Sequence, residues 1–286
     1  MEAYWRLVDS GPGGAGWNMA VDEALLITAG NGLCPPTLRF FSWDVPSLSI
    51  GSFQKVDELN LDAVNGNGVP LVRRPTGGRA VLHDAELTYS VTCPIPSRFM
   101  PSELMGSYKK IGSCFLSGLR KLGVAAEMLP VNKNPERKCR PRDESHPLCF
   151  SSPSWYEVLA DGKKLIGSAQ RRLKGSFLQQ GSLLIELDLD GLLSLMRFDD
   201  DDKMRSAREA LASKMTGLSE LGHNVKIEEL QKALIEGFVG EMGAPFVLEG
   251  LTREENELAM RLLEEKYSRP EWNLYREGAG KGALHA

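Results

Sequence analysis

Asp161-Gly162 lies between the apolar runs Glu157-Val158-Leu159-Ala160 and Lys164-Leu165-Ile166. Both turn residues tolerate positive φ, so an Asp-Gly pair in this setting closes a tight hairpin and fixes two antiparallel strands. Just upstream, Ser151, Ser152, Pro153 and Ser154 break regular structure and let the chain turn back, which brings Cys149 within reach of Lys164. A thiol beside an ammonium is biased toward thiolate, its nucleophilic form. The same cysteine, flanked by Leu148 and Phe150, also reads as a small buried core residue, the commoner role of an intracellular cysteine. The residues alone leave both readings open.

A second stretch carries chemistry: Arg73-Arg74-Pro75-Thr76-Gly77-Gly78-Arg79, followed by His83-Asp84 and an alternating strand over Glu86–Cys93. Leu87, Tyr89, Val91 and Cys93 fall on one face of that strand. Gly77 and Gly78 let backbone approach a ligand, and Arg73, Arg74 and Arg79 could hold a phosphate or carboxylate. The glycine spacing fits neither a Walker loop nor a dinucleotide fingerprint. Taken alone, the stretch also reads as a hairpin loop with solvated arginines. The polar segment Asn132–His146, with Lys133, Arg137, Lys138, Arg140 and Arg142, reads as a solvated loop, a lid or a landing strip for an acidic partner.

Further strands are expected over Tyr4–Val8, Thr37–Phe41, Ser47–Gly51, Val69–Val72 and Gly175–Leu187, with Trp43-Asp44-Val45-Pro46 as a turn between the second and third. Asn18 reads as the cap of a helix through Ala29, with Asp22 and Glu23 near its positive end. Helices are also expected over Ser102–Leu122, capped by Ser102 and stopped by Gly123, and over Met204–Met215 and Val225–Gly240. Thr252 and Glu255 have capping-box spacing for a last helix to about Tyr267. Strands dominate the first two thirds and helices the last, which predicts an α+β fold. At 286 residues, 42% hydrophobic and 25% charged, the composition argues against disorder and against a membrane protein. A net charge of −4 gives no support for a nucleic-acid partner, and five scattered cysteines without Cys-x-x-Cys indicate neither disulfides nor a zinc site. No basic-then-apolar leader opens the chain, so a cytoplasmic location is expected.

Together the two stretches resemble one superfamily. Arg73 to Arg79 through His83-Asp84, followed by Gly162-Lys163-Lys164-Leu165-Ile166-Gly167-Ser168-Ala169, is similar to the biotin/lipoate ligases and octanoyltransferases. Cys149-Phe150-Ser151-Ser152-Pro153-Ser154-Trp155-Tyr156-Glu157 resembles the LipM-type octanoyltransferases of Gram-positive bacteria. The resemblance implies a biotin/lipoate ligase-like catalytic domain over residues 1–248 with mixed sheets flanked by helices, a helical segment over 249–276 and a frayed tail over 277–286. It further implies octanoyl transfer from acyl carrier protein to a lipoyl-domain lysine, in glycine-cleavage H protein or the acyltransferase subunits of 2-oxoacid dehydrogenases. In that family the cysteine matching Cys149 forms the acyl-enzyme and the lysine matching Lys164 lies beside it. Arg73, Arg74, Gly77, Gly78, His83, Gly167 and Ser168 would then bind substrate, with no metal or cofactor.

A thioester is already activated, so such a transfer needs no ATP. The acceptor lysine must lose a proton, and His83 is a second candidate beside Lys164 for taking it. Leu82, Leu87 and Leu165 are candidates to line an acyl slot. Each buried methylene is worth about 0.8 kcal/mol, so hexanoyl should be disfavoured about fifteen-fold against octanoyl. Rival readings are an ATP-dependent lipoate-protein ligase, an amidotransferase drawing octanoyl from H protein, and an inert module that binds lipoyl domains or acyl carrier protein.

Overall fold

The computed structural model describes residues 4–128 and 157–277. In chain order the elements are β1 (Trp5–Gly13), α1 (Ala15–Gly30), β2 (Thr37–Trp43), β3 (Ser47–Ile50), α2 (Leu61–Gly66), β4 (Leu71–Arg73), β5 (Val81–His83), β6 (Glu86–Pro94), α3 (Leu104–Lys121) and β7 (Ala126–Met128). There follow β8 (Val158–Ala160), β9 (Lys163–Leu173), β10 (Ser176–Leu184), α4 (Leu189–Ser194), α5 (Asp201–Ala212), α6 (Ile227–Met242), β11 (Phe246–Leu248), α7 (Arg253–Leu262) and α8 (Pro270–Asn273). They build two mixed sheets, one of eight strands in the order β11-β1-β2-β6-β10-β9-β8-β7 and one of three in the order β4-β3-β5. β11, β1 and β2 run parallel, and from β2 to β7 each neighbour is antiparallel. This is the α+β arrangement with mixed sheets flanked by helices.

Strand alternation explains the layering. Odd-numbered side chains of β6 and β10, among them Leu87, Tyr89, Val91, Phe177 and Leu183, join Phe115 and Leu119 of α3 and Leu234 and Phe238 of α6 in one core. Even-numbered ones face α1: Ser90 and Gln180 both donate to Asp22, and Ser176 donates to the Leu26 carbonyl. The small sheet makes its own core with α2, α4 and α5, around Leu48, Ile50, Leu59, Leu192 and Met196. It stands on the α1 side of the large sheet, and a cavity lies between the two.

The Asp-Gly hairpin forms as its sequence dictates, with φ of 49° at Asp161 and 70° at Gly162 joining β8 to β9. Gly123 ends α3 at φ 74°, Asp200 caps α5 by accepting from the Lys203 amide, and the Thr252–Glu255 capping box opens α7. Two capping expectations fail. α1 begins at Ala15, so Asn18 lies one turn inside it, fully buried, where Nδ2 donates to the Gly13 and Ser42 carbonyls and Oδ1 accepts from Arg39. Its amide ties the end of β1 to β2, a demand set by tertiary packing. α3 begins at Leu104 with Glu103 before it, so Ser102 is not its cap. Trp43-Asp44-Val45-Pro46 carries the chain from the large sheet to the small one and does not close a hairpin.

Asp22 and Glu23 sit away from the helix start and are committed to buried ion pairs. Arg39 Nη1 donates to Asp22 Oδ1 at 2.8 Å, both fully buried, and Glu23 accepts from Lys266, Arg171 and Tyr267. Beyond β11, α7 packs on α1, and Glu255 accepts both ends of the Arg6 guanidinium at 2.6 and 2.8 Å. Among the described residues no helix is long and apolar enough to cross a membrane.

Candidate active site

A cavity of about 160 Å³ opens where β9 and β10 of the large sheet face β3 and β5 of the small one. Lys164 is held there from both sides. Its amide donates to the Lys214 carbonyl at 2.7 Å and its carbonyl accepts from the Thr216 amide at 3.0 Å, so the segment after α5 fixes the strand on which it stands. Its Nζ donates to Glu157 Oε1. Gly167 keeps the space beside the lysine stem open, because a Cβ there would lie 3.2 Å from Lys164 Cε. Gly167 and Ser168 both line the cavity, and the Ser168 hydroxyl bonds to that of Tyr89 at 2.7 Å.

The arginine-glycine loop forms the facing wall. Gly78, at φ 96°, presses its carbonyl against Gly51, where a Cβ would come within 2.0 Å of that oxygen. Arg74 holds the loop closed by donating to the Gly77 and Arg79 carbonyls at 2.9 and 2.7 Å and to Ser49 Oγ at 2.9 Å. Thr76 donates to Gln180, which donates in turn to Asp22, fastening the loop to β10 and α1. Arg74, Gly78 and Arg79 line the cavity; Gly77 does not. Arg73 points elsewhere: it is 2% exposed, and its guanidinium donates to the carbonyls of Gly51, Gln54, Trp272 and Leu274. It clamps the carboxy-terminal segment to the loop outside the cavity. Burial, with Arg276 nearby, lowers its pKa.

His83 is held on its ring face and at both ring nitrogens. Its ring stacks on Trp43 at 4.1 Å with 14° between planes. Nδ1 lies 2.6 Å from Glu86 Oε1, and Nε2 lies 2.7 Å from Ser49 Oγ. Glu86 Oε1 also accepts from Thr88 and Ser182, while its Oε2 is buried with no donor among the described residues. A carboxylate only accepts, so Nδ1 carries a ring hydrogen, and in the tautomer with that hydrogen alone Nε2 accepts from the Ser49 hydroxyl.

The apolar lining differs from the sequence reading. Leu87 and Leu165 are turned into the core with α3 and α6, and Leu82 belongs to a neighbouring cleft. Met19, Phe41, Trp43, Val81, Leu184 and Met215 line the cavity instead. They come from five different segments, so no local pattern announces them. Ser49, Glu86, Glu157 and Gln180 were also missed. Ser49, Glu86 and Gln180 show only as polar positions of β3, β6 and β10 opposite an apolar face, and although Glu86 and Glu157 lie three and seven positions from His83 and Lys164, nothing local marks those pairs as facing a cavity.

Cys149, Cys139 and the basic segment 132–146 lie outside the described residues. Cys34 and Cys114 are buried, which pushes the Cys34 thiol up to about 11 and that of Cys114 further still. Neither is suited to act as a nucleophile near neutral pH.

Residues 15–239 match the family described as the lipoyl protein ligase A/B catalytic domain. A bipartite lipoate-protein ligase from Thermoplasma acidophilum superposes with a TM-score of 0.80 at 26% identity, covering 99% of this chain and 100% of that one. Lipoate-protein ligase A bound with ATP gives 0.76 at 29%, covering 96% and 100%. The chain belongs to the lipoyl protein ligase A/B catalytic family. Octanoyltransferase LipM of Kyrpidia tusciae is 45% identical over 94% of this chain and 98% of that protein, and that of Geobacillus kaustophilus 43% over 95% and 98%. Within the family this chain is thus an acyltransferase of the LipM type, which transfers octanoyl groups in protein lipoylation.

Proposed function

We propose that the chain takes octanoyl from the thioester of acyl carrier protein onto Cys149 and passes it to the ε-amine of a lipoyl-domain lysine. The glycine-cleavage H protein and the acyltransferase subunits of 2-oxoacid dehydrogenases are the acceptors expected. The observation that carries this reading is Lys164, fixed on β9 and lining a largely apolar cavity in a chain 45% identical to a LipM octanoyltransferase. Thiol–thioester exchange is nearly balanced in energy, so the chemistry asks only for a thiolate and a place for the departing sulfur. Lys164 can favour that thiolate, stabilise the tetrahedral oxyanion, or return a proton to the sulfur. Arg74 and Gly78 keep the loop against the carbonyl end, while the apolar wall takes the chain.

Two features favour this over an adenylate-forming ligase. The Arg73 guanidinium is spent on four carbonyls of the protein, which takes one of the three candidate arginines away from an adenylate phosphate. Relatives at 45% and 43% identity are named for transfer. The test is donor dependence: octanoyl-acyl carrier protein without ATP should octanoylate a lipoyl domain, and free octanoate with ATP should not. Modification only with ATP and free acid would overturn the proposal.

A further inference from the structure

Ser49, His83 and Glu86 form a directed hydrogen-bond chain that ends at the cavity, and the roles given above to Lys164 do not use it. Each member is locked. Trp43 fixes the imidazole plane by stacking, and its Nε1 donates to Thr88 at 2.9 Å. Thr88 and Ser182 both donate to the carboxylate oxygen that receives His83 Nδ1. Ser49 accepts from Arg74 and donates to His83 Nε2. Ser49 and His83 line the same cavity as Lys164, and Ser182 pairs across the strands with Gly167, beside the Lys164 stem. The order resembles a serine nucleophile with its base and orienting acid. The Arg74 guanidinium, however, draws electron density from Ser49 Oγ, which makes that hydroxyl a poorer nucleophile and a better proton donor.

We propose that Ser49 and His83 relay the first proton away from the acceptor lysine, with Glu86 as the positioning residue. The inference rests on the reading of this site as a transferase to an amine. At pH 7 a lysine with an ordinary pKa near 10.4 is neutral on the order of once in a few thousand molecules, so removing the proton after binding avoids waiting for that rare form. A proton leaves the bound ammonium for Ser49 Oγ as the Ser49 hydroxyl proton moves to His83 Nε2, giving an imidazolium hydrogen-bonded to Glu86. The neutral nitrogen then attacks the thioester carbonyl. A C–N bond forms, the C–S bond breaks, and the second nitrogen proton goes to the departing sulfur. As the amide leaves, the imidazolium returns its proton through Ser49 to solvent. In this scheme Lys164, whose Nζ donates to Glu157, serves the sulfur side of the same step.

The test compares two acceptors with octanoyl-acyl carrier protein as donor and the full chain at pH 7. One is a lipoyl domain, which arrives as an ammonium; the other is hydroxylamine, which arrives neutral, read after subtracting its uncatalysed reaction. Ser49→Ala should slow transfer to the lipoyl domain by roughly 100-fold while changing hydroxylamine transfer by no more than about threefold. Ser49→Thr, which keeps the hydroxyl, should restore most of the lysine rate, and Glu86→Gln should show the same split in smaller measure. A structural role would lower both acceptors together. Equal loss, or no loss, in whichever of Ser49→Ala and Glu86→Gln folds overturns the relay. The wild-type control separates the readings: no transfer to the lipoyl domain there refutes the donor assignment and the relay with it, whereas wild-type transfer without an acceptor split in the variants refutes the relay alone.

Discussion

At the scale of single residues, the cavity depends on what is missing as much as on what is present. Gly167 has no side chain, and the Lys164 stem occupies that space, 3.2 Å from where a Cβ would stand. Gly167→Ala is therefore expected to displace Nζ from its place near Glu157 and to lower transfer by about tenfold, since sub-ångström errors at a reacting group are costly. Its melting temperature should stay within roughly 2 °C of wild type, as befits a change worth less than about 1 kcal/mol. Steady-state rates beside thermal melts check both. Lys164, Gly78, His83, Gly167 and Ser168 could all be named from sequence because motif residues sit close to one another along the chain. Arg73 misled for a physical reason. Adjacent strand residues point to opposite faces, so of the pair Arg73-Arg74 only one can face the cavity, and the sequence does not say which.

At the scale of elements, α1 is the hub, and its charges were the least legible part of the sequence. Asp22 and Glu23 look like ordinary acids near a helix start, but their partners Arg39, Arg171 and Lys266 are 17, 148 and 243 positions away. Removing one side of the buried Asp22–Arg39 pair strands a charge and two further donors, Ser90 and Gln180. Asp22→Ala should destabilise by about 3–5 kcal/mol. The corresponding fall in melting temperature is roughly 10 °C. Glu23 and Glu255 add a pH dependence. Burial would raise Glu23, but Lys266 and Arg171 outweigh it; burial likewise opposes Glu255, where Arg6 and the Thr252 amide prevail. Both carboxyls end below the usual glutamate range. Their contribution is complete above the unfolded-state value and is lost as pH falls through the lowered folded-state values. Undocking of α7 from α1 below about pH 4.5 is the expected outcome. Amide hydrogen exchange over residues 252–267 reads it directly, and protection unchanged down to pH 3 would contradict it.

At the scale of the whole molecule, alternation and turn chemistry were enough to predict an α+β fold, because β6, β9, β10 and the Asp-Gly hairpin each declare themselves locally. That the strands divide into sheets of eight and three was not legible. The division rests on pairings between strands far apart in sequence, such as β1 with β11, where Trp5 pairs with Phe246. The cavity exists only because those sheets meet, which is why its apolar lining could not be read from any one segment. The claim that unites fold and chemistry is that octanoyl rests covalently on Cys149 between donor and acceptor. Intact mass of the protein after mixing with octanoyl-acyl carrier protein, without ATP and beside a Cys149→Ala variant, tests it most directly. One octanoyl adduct is expected on the wild type, none on the variant, and loss of the adduct when a lipoyl domain is added. An adduct that persists in Cys149→Ala, or undiminished transfer by that variant, would contradict it.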